Sequence, residues 1–350
     1  MQALDLTIDV TEAAGLGQPA HIALTVSLPD PESVPDEPIV CFAKPGGGYS
    51  KGYYTCDLPG PGHGAQADWH TQRGWIFVSV DHLGVGASSV DHDPNRLDYT
   101  TLANTAQAAE AEVLARLAAG TLADGFPTIE DPLRLGIGQS MGGCMTVVQQ
   151  GRYHCYDGIG VLGYSAVHTH PPVRPGEPPI VATWLPRDRL IDEPLTVLNA
   201  AQLAEAERRT LDEEADIQDQ GMNMAWGFFW DDVDLDIIRP DLEDFPTRNG
   251  KVPPWGSGTL PMAVAASCLT PGAIAAEAAA VTSPVLAAFG QRDISADPKG
   301  EPRAYLSATS VDLFICPKMG HMHNFASTRE LFWQRLETWT RWVSHVTASA

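Results

Sequence analysis

The chain has 350 residues, of which 44% are hydrophobic and 19% charged, so it carries enough apolar material for a sizeable core. Its formal net charge is −22, from 22 lysines and arginines against 44 aspartates and glutamates. Such a charge repels nucleic-acid phosphates and anionic lipid surfaces, so we expect neither as a partner. No segment resembles a leader or approaches the roughly 18 apolar residues of a membrane span, and we therefore expect a cytoplasmic protein.

The first predicted elements are β-strands. Apolar residues recur at about every second position from Leu4 to Val10 and from His21 to Leu28, which predicts a β-hairpin. Pro38 to Ala43 and Trp75 to Val80 are short apolar runs that end in glycine-rich turns, a pattern typical of buried strands.

Helix-like and strand-like segments then alternate. From Thr101 to Ala119 the apolar residues step by three or four, which predicts a helix with one inward face. A strand from Leu133 to Ile137, a helix beginning near Ser140 and a strand from Gly158 to Tyr164 follow. This order predicts an α/β fold with a mostly parallel central sheet flanked by helices, and active sites in such sheets lie at the carboxyl ends of strands.

The alternation breaks down between residues 168 and 280, which are rich in proline and include a helical stretch from Leu195 to Arg209. We interpret residues 168–280 as an inserted lid, or cap, and residues 1–167 and 281–350 as the two parts of the core domain. The second part resumes the alternation. A predicted helix from Gly272 to Ala280 precedes this second part. Its own predicted elements are strands from Val285 to Phe289 and from Val311 to Cys316, and a helix from Thr328 to Val346.

A candidate nucleophile follows the strand Leu133 to Ile137. The sequence around Ser140 reads GQSMG, from Gly138 to Gly142, and a helix-compatible segment comes next. A serine on such a tight strand-to-helix turn keeps its hydroxyl exposed, and the small neighbours let the chain pass closely. The helix N-terminus behind it favours a developing negative charge.

Two further residues that suit acyl transfer stand after later strands. Asp293 follows the strand Val285 to Phe289 and is placed to orient an imidazole; Asp297, four residues further on, is its competitor. His321 follows the strand Val311 to Cys316, and an imidazole is suited to take the serine proton and return it to the leaving group. His323 stands only two residues away, so the choice of base stays open, with His321 preferred.

A glycine run from Gly46 to Gly48 ends the third strand. It suits an oxyanion hole, because backbone N–H groups approach a reacting carbonyl only where no side chain intervenes. The run matches neither GxxxxGK[ST] nor GxGxxG, which argues against a phosphate cradle.

These ordered motifs resemble the α/β-hydrolase superfamily over nearly the whole chain apart from the insertion. The resemblance implies that Ser140 is the nucleophile, His321 the base and Asp293 its orienting acid. It also implies an oxyanion hole from the N–H groups of Met141 and of Gly47 or Gly48, although proline stands where the HGGG motif of esterases has histidine. The implied reaction is hydrolysis of a carboxylic ester or lactone through an acyl-enzyme, with no cofactor and no metal.

Aromatic residues of the insertion are candidates for a substrate pocket, chiefly Trp226, Phe229 and Trp230, beside Met222, Met224 and Phe228. Packing of the insertion against the core explains the same residues. Together with the acidic composition they predict a neutral, apolar or aromatic small-molecule substrate, unless Arg187, Arg189 or Arg292 supplies a cation.

Other activities of the same fold remain open from the sequence. They are peptidase, thioesterase, C–C hydrolase and acyltransferase activity, or a non-catalytic role in ligand binding. The sequence also leaves open the acyl and alcohol groups, the pathway and the oligomeric state.

Overall fold

The computed structural model describes residues 1–90, 96–170, 172–176, 224–243, 245–248 and 251–349. The predicted helix from Leu195 to Arg209 lies outside these residues, as do Arg187, Arg189 and Met222. The boundaries proposed for the insertion therefore remain a prediction.

The described residues form one eight-stranded sheet with the order β1-β2-β4-β3-β5-β6-β7-β8. Its strands are β1 Gln2–Asp9, β2 His21–Leu28, β3 Ile39–Lys44, β4 Ile76–Val80, β5 Leu133–Gln139, β6 Gly158–Leu162, β7 Val285–Gly290 and β8 Val311–Cys316. Strand β2 runs antiparallel to β1 and β4, and all other neighbours are parallel. The predicted mostly parallel sheet is confirmed, and each predicted strand agrees with the observed one to within two residues at either end.

Helices cover both faces of this sheet. Alternate residues of β3 point to opposite sides, so Val40 and Phe42 belong to one apolar cluster and Cys41 and Ala43 to the other. The described α-helices include Thr11–Ala14, Gly52–Thr55, Gln66–Thr71, Tyr99–Ala118, Met141–Tyr153, Leu235–Leu242, Met262–Ser267, Ala275–Ala280 and Arg329–Thr347. The helices Tyr99–Ala118 and Met141–Tyr153 pack into the first cluster, and Arg329–Thr347 packs into the second.

The turns that matter for function follow four parallel strands. The glycine run follows β3, Ser140 follows β5, Asp293 follows β7 and His321 follows β8. Since parallel strands end at one edge of a sheet, the fold gathers these residues at that edge. None of the described helices is both long and apolar enough to cross a membrane.

Candidate active site

Ser140 occupies a strained turn between β5 and the helix Met141–Tyr153. Its φ is 54° and its ψ is −120°, a conformation that non-glycine residues rarely adopt. A Cβ on Gly138 would collide with the carbonyl of Gly142, and a Cβ on Gly142 would collide with the carbonyl of Lys44. The flanking glycines are therefore required by packing, as the GxSxG pattern predicts.

Asp293 and His321 form a buried hydrogen-bonded pair. The Nδ1 atom of His321 lies 2.7 Å from Oδ1 of Asp293, and both side chains are almost fully buried. Burial alone would raise the pKa of Asp293, but the facing His321 and the hydrogen bonds from His321 and His323 hold that pKa below its ordinary value. Asp293 thus stays ionised and fixes one nitrogen of His321.

Gln139, which sequence reasoning did not single out, meets the other side of His321. Its Nε2 donates to the His321 carbonyl at 3.0 Å and lies 3.3 Å from Nε2 of the imidazole. Because a carbonyl only accepts, the amide nitrogen must face His321. The imidazole Nε2 next to it is then an unprotonated acceptor, as a resting general base requires.

The hydroxyl of Ser140 makes no hydrogen bond to another described residue, including His321. Gln139 precedes Ser140 in the chain and contacts His321 Nε2, so the base nitrogen points toward the nucleophile turn. Catalytic hydrogen bonds are often long in the free enzyme and tighten when substrate binds.

The glycine turn packs directly on the nucleophile turn. A Cβ on Gly46 would collide with Gln139 Oε1 and would lie 3.1 Å from the Cβ of Ser140. Among the described hydrogen bonds, none uses the N–H groups of Gly47, Gly48 or Met141. Free N–H donors beside a serine are what an oxyanion hole supplies.

Core residues support this turn from β4. The Nε2 of His82 donates to the carbonyl of Pro45 at 3.0 Å, and burial lowers the pKa of His82 to about 4, which keeps the ring neutral. Asp81 accepts the N–H groups of Lys51 and Ala87 at 2.5 and 2.9 Å. Asp81 and His82 thus organise the turns beside the site.

Residues after position 240 hold the same turn from the outside. The carbonyl of Gly48 accepts from the Arg248 guanidinium and from the N–H of Ser257, the latter at 3.0 Å. Arg248 pairs with Asp241 at 3.5 Å, and both side chains are at most 2% exposed. Asp241 also accepts from the Tyr49 hydroxyl at 2.5 Å, and burial raises the Asp241 pKa although Arg248 opposes this.

Trp226 and Trp230, predicted to bind substrate, lie against Arg292. Their rings are 4.2 and 4.7 Å from its guanidinium, which also donates to Asp231 at 2.9 Å and to the Phe229 carbonyl at 2.5 Å. Arg292 is therefore engaged with this segment.

Phe229 is 2% exposed and packs edge-on against Phe325, with ring centroids 5.3 Å apart. The packing explanation given above accounts for these contacts. Substrate binding by Trp226, Phe229 and Trp230 remains a prediction.

Phe228 lies beside the base, and Phe245 packs against Phe228. The ring of Phe228 is 5.0 Å from that of His321 and 5.7 Å from that of Phe245, and both phenylalanines are half-buried. Phe245 lies over Gly48, and Leu260 lies beside Gly47. In residues 224–230 half-buried and buried side chains alternate, and Phe228 is one of the half-buried ones. This alternation is visible in the structure but not in the sequence.

Solved structures of known proteins are similar to this chain over nearly its whole length. A proline iminopeptidase from Mycobacterium smegmatis gives a TM-score of 0.59 at 12% identity, covering 98% of this chain and 100% of that one. A thermophilic esterase from Thermogutta terrifontis gives 0.53 at 14% identity, with 98% and 99% covered. An enol-lactonase from Burkholderia xenovorans LB400 gives 0.54 at 11% identity, with 92% and 97% covered.

No protein-family model matches the sequence, and no curated protein matches it significantly. At such low identity the structural likeness establishes the fold. The chain has the α/β-hydrolase fold, as the ordered motifs predict. Fold alone does not assign an activity, so the activity must be argued from the site.

Proposed function

We propose that this protein is a serine hydrolase that cleaves a carboxylic ester or lactone of a neutral, apolar or aromatic small molecule. The observation that carries the proposal is the Asp293–His321 pair together with the strained turn that carries the half-buried Ser140. An ionised acid, an imidazole with an unprotonated acceptor nitrogen and a serine on a helix N-terminus are the parts of a nucleophilic triad.

The reaction begins with attack of the Ser140 hydroxyl oxygen on the acyl carbonyl carbon, while His321 Nε2 takes the hydroxyl proton. The resulting oxyanion accepts hydrogen bonds from the N–H groups of Met141 and of Gly47 or Gly48. Collapse expels an alcohol, which receives the proton from His321. Water then attacks the acyl-enzyme with the same imidazole as base and restores the serine.

The proposed substrate class is supported by the side chains near the site. Phe228 stands beside the base, Phe245 packs against Phe228 and over Gly48, and Leu260 stands beside Gly47, so these described neighbours of the reacting groups are apolar. Arg292 is occupied by Asp231 and the two tryptophans. A net charge of −22 further disfavours anionic substrates.

The test is a panel of p-nitrophenyl esters of graded chain length, lactones and aminoacyl anilides, assayed on the wild type and on Ser140→Ala. We expect ester or lactone turnover that the substitution abolishes without unfolding the protein, because the hydroxyl is the attacking group. A fluorophosphonate should label Ser140, as located by peptide mass spectrometry.

Three outcomes would contradict the proposal. One is labelling of a different serine, and another is full turnover by Ser140→Ala. The third is turnover of the anilides with none of the esters, which would identify a peptidase instead.

A further inference from the structure

A second histidine lies on the carboxylate of Asp293. The Nε2 of His323 is 2.8 Å from Oδ2 of Asp293, which matches the 2.7 Å between His321 and Oδ1. The His323 ring is 2% exposed and packs against Phe332, with centroids 4.4 Å apart. The proposed reaction assigns this ring no role.

The surroundings decide which nitrogen of His323 carries the proton. An ionised carboxylate only accepts hydrogen bonds, so the Nε2 of His323 donates to Asp293. Burial lowers the pKa of His323, against the opposing effect of Asp293, so the ring is neutral. Its Nδ1 then carries no proton, and it is buried without a hydrogen-bond partner among the described residues.

Together with His323, the Asp293 carboxylate receives four donors. Oδ1 accepts from His321 Nδ1 at 2.7 Å and from the N–H of Ile294 at 2.8 Å. Oδ2 accepts from His323 Nε2 and from the N–H of Gly290, both at 2.8 Å. Two donors on each oxygen fix the plane of the carboxylate and spread its charge away from His321 alone.

We infer that His323 is a positioning residue that acts through Asp293 and sets the pH at which His321 becomes competent as a base. This inference rests on the proposed function, because it assigns His323 a part in the same triad. By donating to Oδ2, His323 reduces the negative charge that Asp293 presents to the His321 ring. A protonated His321 is then stabilised less, so the base is active at lower pH.

Other groups around the pair leave this coupling intact. Gly163, which follows β6, has no side chain and lies against both imidazoles. Tyr53 accepts from the N–H of Asn324, and burial raises its pKa so that it stays neutral. Arg292 is the neighbour of Asp293 in the chain, but its guanidinium donates to Asp231. Among the described residues, His321 and His323 are thus the titratable groups that hydrogen-bond to Asp293.

Two substitutions separate the effect of the His323 N–H donor from the effect of its imidazole ring. His323→Met removes the N–H donor and keeps an apolar side chain of similar size beside Phe332. His323→Gln keeps an N–H that reaches Asp293 and does not titrate. The readouts are the acid limb of the kcat/KM profile for a p-nitrophenyl ester and the titration midpoint of the His321 ring by ¹⁵N NMR, which needs no substrate.

We expect the acid limb and the NMR midpoint of His323→Met to move to higher pH by about 0.5 to 1 unit, since a carboxylate short of one donor holds a protonated imidazole more tightly. The plateau rate should fall roughly tenfold as Asp293 loses its fixed plane. His323→Gln should restore the wild-type limb to within a few tenths of a unit.

His70→Met is the matched control, because His70 is also fully buried, stacks on Trp75 at 4.3 Å and has a ring whose nitrogens make no hydrogen bond to the described residues. It should lower stability without moving either readout. An unmoved NMR midpoint in His323→Met would overturn the inference. So would loss of turnover in both His323 variants with full turnover in His321→Ala, since His323 would then be the base. Ester turnover that depends on Ser140 tests the proposed function separately, because the NMR midpoint does not require it.

Discussion

Two acceptors in the site are held in different ways. The carboxylate of Asp293 takes its four described donors from residues 290–323, within and between the turns after β7 and β8. The carbonyl of Gly48 takes its two described donors from Arg248 and Ser257, which lie about 200 residues further along the chain. The acid is therefore fixed by turns of the sheet itself, whereas the Gly48 carbonyl is held by residues between β6 and β7.

The two arrangements also differ in how well they stabilise the buried carboxylate that each contains. Asp293 is compensated by four short hydrogen bonds, and its pKa is lowered accordingly. Asp241 has the Arg248 guanidinium at 3.5 Å together with Tyr49 and Trp255, and burial still raises its pKa. A buried ion pair of this kind contributes little net stability, so we expect its main effect on the geometry of the turn.

The largest effect should come from the acid. Asp293→Asn is expected to lower kcat by about 10⁴-fold, because an amide no longer holds the base in the required tautomer. Steady-state ester hydrolysis measures this. Asp297→Asn is the control, since Asp297 is exposed, accepts from the N–H of Gly300 and lies 3.7 Å from the Arg303 guanidinium. If Asp297→Asn were the inactive variant, the acid would have been misplaced.

The same substitution has a signature in stability. The depressed pKa of Asp293 means that its ionised form stabilises the fold above the ordinary value near 3.8, and this stability is lost as pH falls through the lowered pKa. Asparagine cannot titrate. The difference in free energy of unfolding between wild type and Asp293→Asn should therefore be largest near neutral pH and shrink in acid. A difference that grows on acidification would show that the carboxylate is not stabilised by its neighbours.

A smaller effect is expected at the glycine turn. The double variant Arg248→Met with Asp241→Asn removes both charges, so no uncompensated ion is left buried. We expect kcat/KM to fall about 10- to 100-fold as the N–H donors lose their alignment, with KM little changed. The affinity of a trifluoromethyl ketone should fall in parallel.

Arg134→Met with Asp157→Asn is the matched control, because that pair stands at the opposite end of β5 from Ser140. It should leave kcat/KM within about twofold of the wild type. A folded Arg248 double variant with unchanged kcat/KM would mean that the sheet domain alone aligns the turn, and the contrast between the two acceptors would disappear.

The sequence predicted the positions of the candidate triad residues better than the contacts that hold the glycine turn, for a physical reason. Each strand is a short apolar run that ends in a turn, so Ser140, Asp293 and His321 could be placed after β5, β7 and β8. Contacts such as Arg248 on Gly48 join residues with no fixed spacing, and no sequence pattern marks them.

The sequence also failed to indicate short helices and the contacts of single side chains. The helices Gly52–Thr55 and Gln66–Thr71 are too short to repeat an apolar period. Gln139 occupies a variable position of the GxSxG pattern, so only its contact with His321 reveals it. The ring of Phe228 lies beside that of His321, and no sequence pattern distinguishes Phe228 from the neighbouring aromatic residues.

The smallest expected effect concerns the substrate, because it depends on the apolar side chains proposed to contact it rather than on the reacting groups. Phe228 and Phe245 offer no partner to a carboxylate, and desolvating one without a paired cation costs several kcal/mol. We expect kcat/KM for a neutral aromatic ester to exceed that for its carboxylate-bearing analogue by roughly tenfold or more.

Salt and size separate the causes of that preference. The net charge of −22 repels anions at long range, so the gap should narrow from low to moderate salt, because charges more than about 10 Å apart are then largely screened. The part that salt leaves unchanged reports desolvation at the wall. A carboxamide analogue controls for size and should behave like the neutral ester. A preference for the anionic ester would refute the prediction and direct attention to Arg187 and Arg189, whose replacement by glutamine should then abolish it.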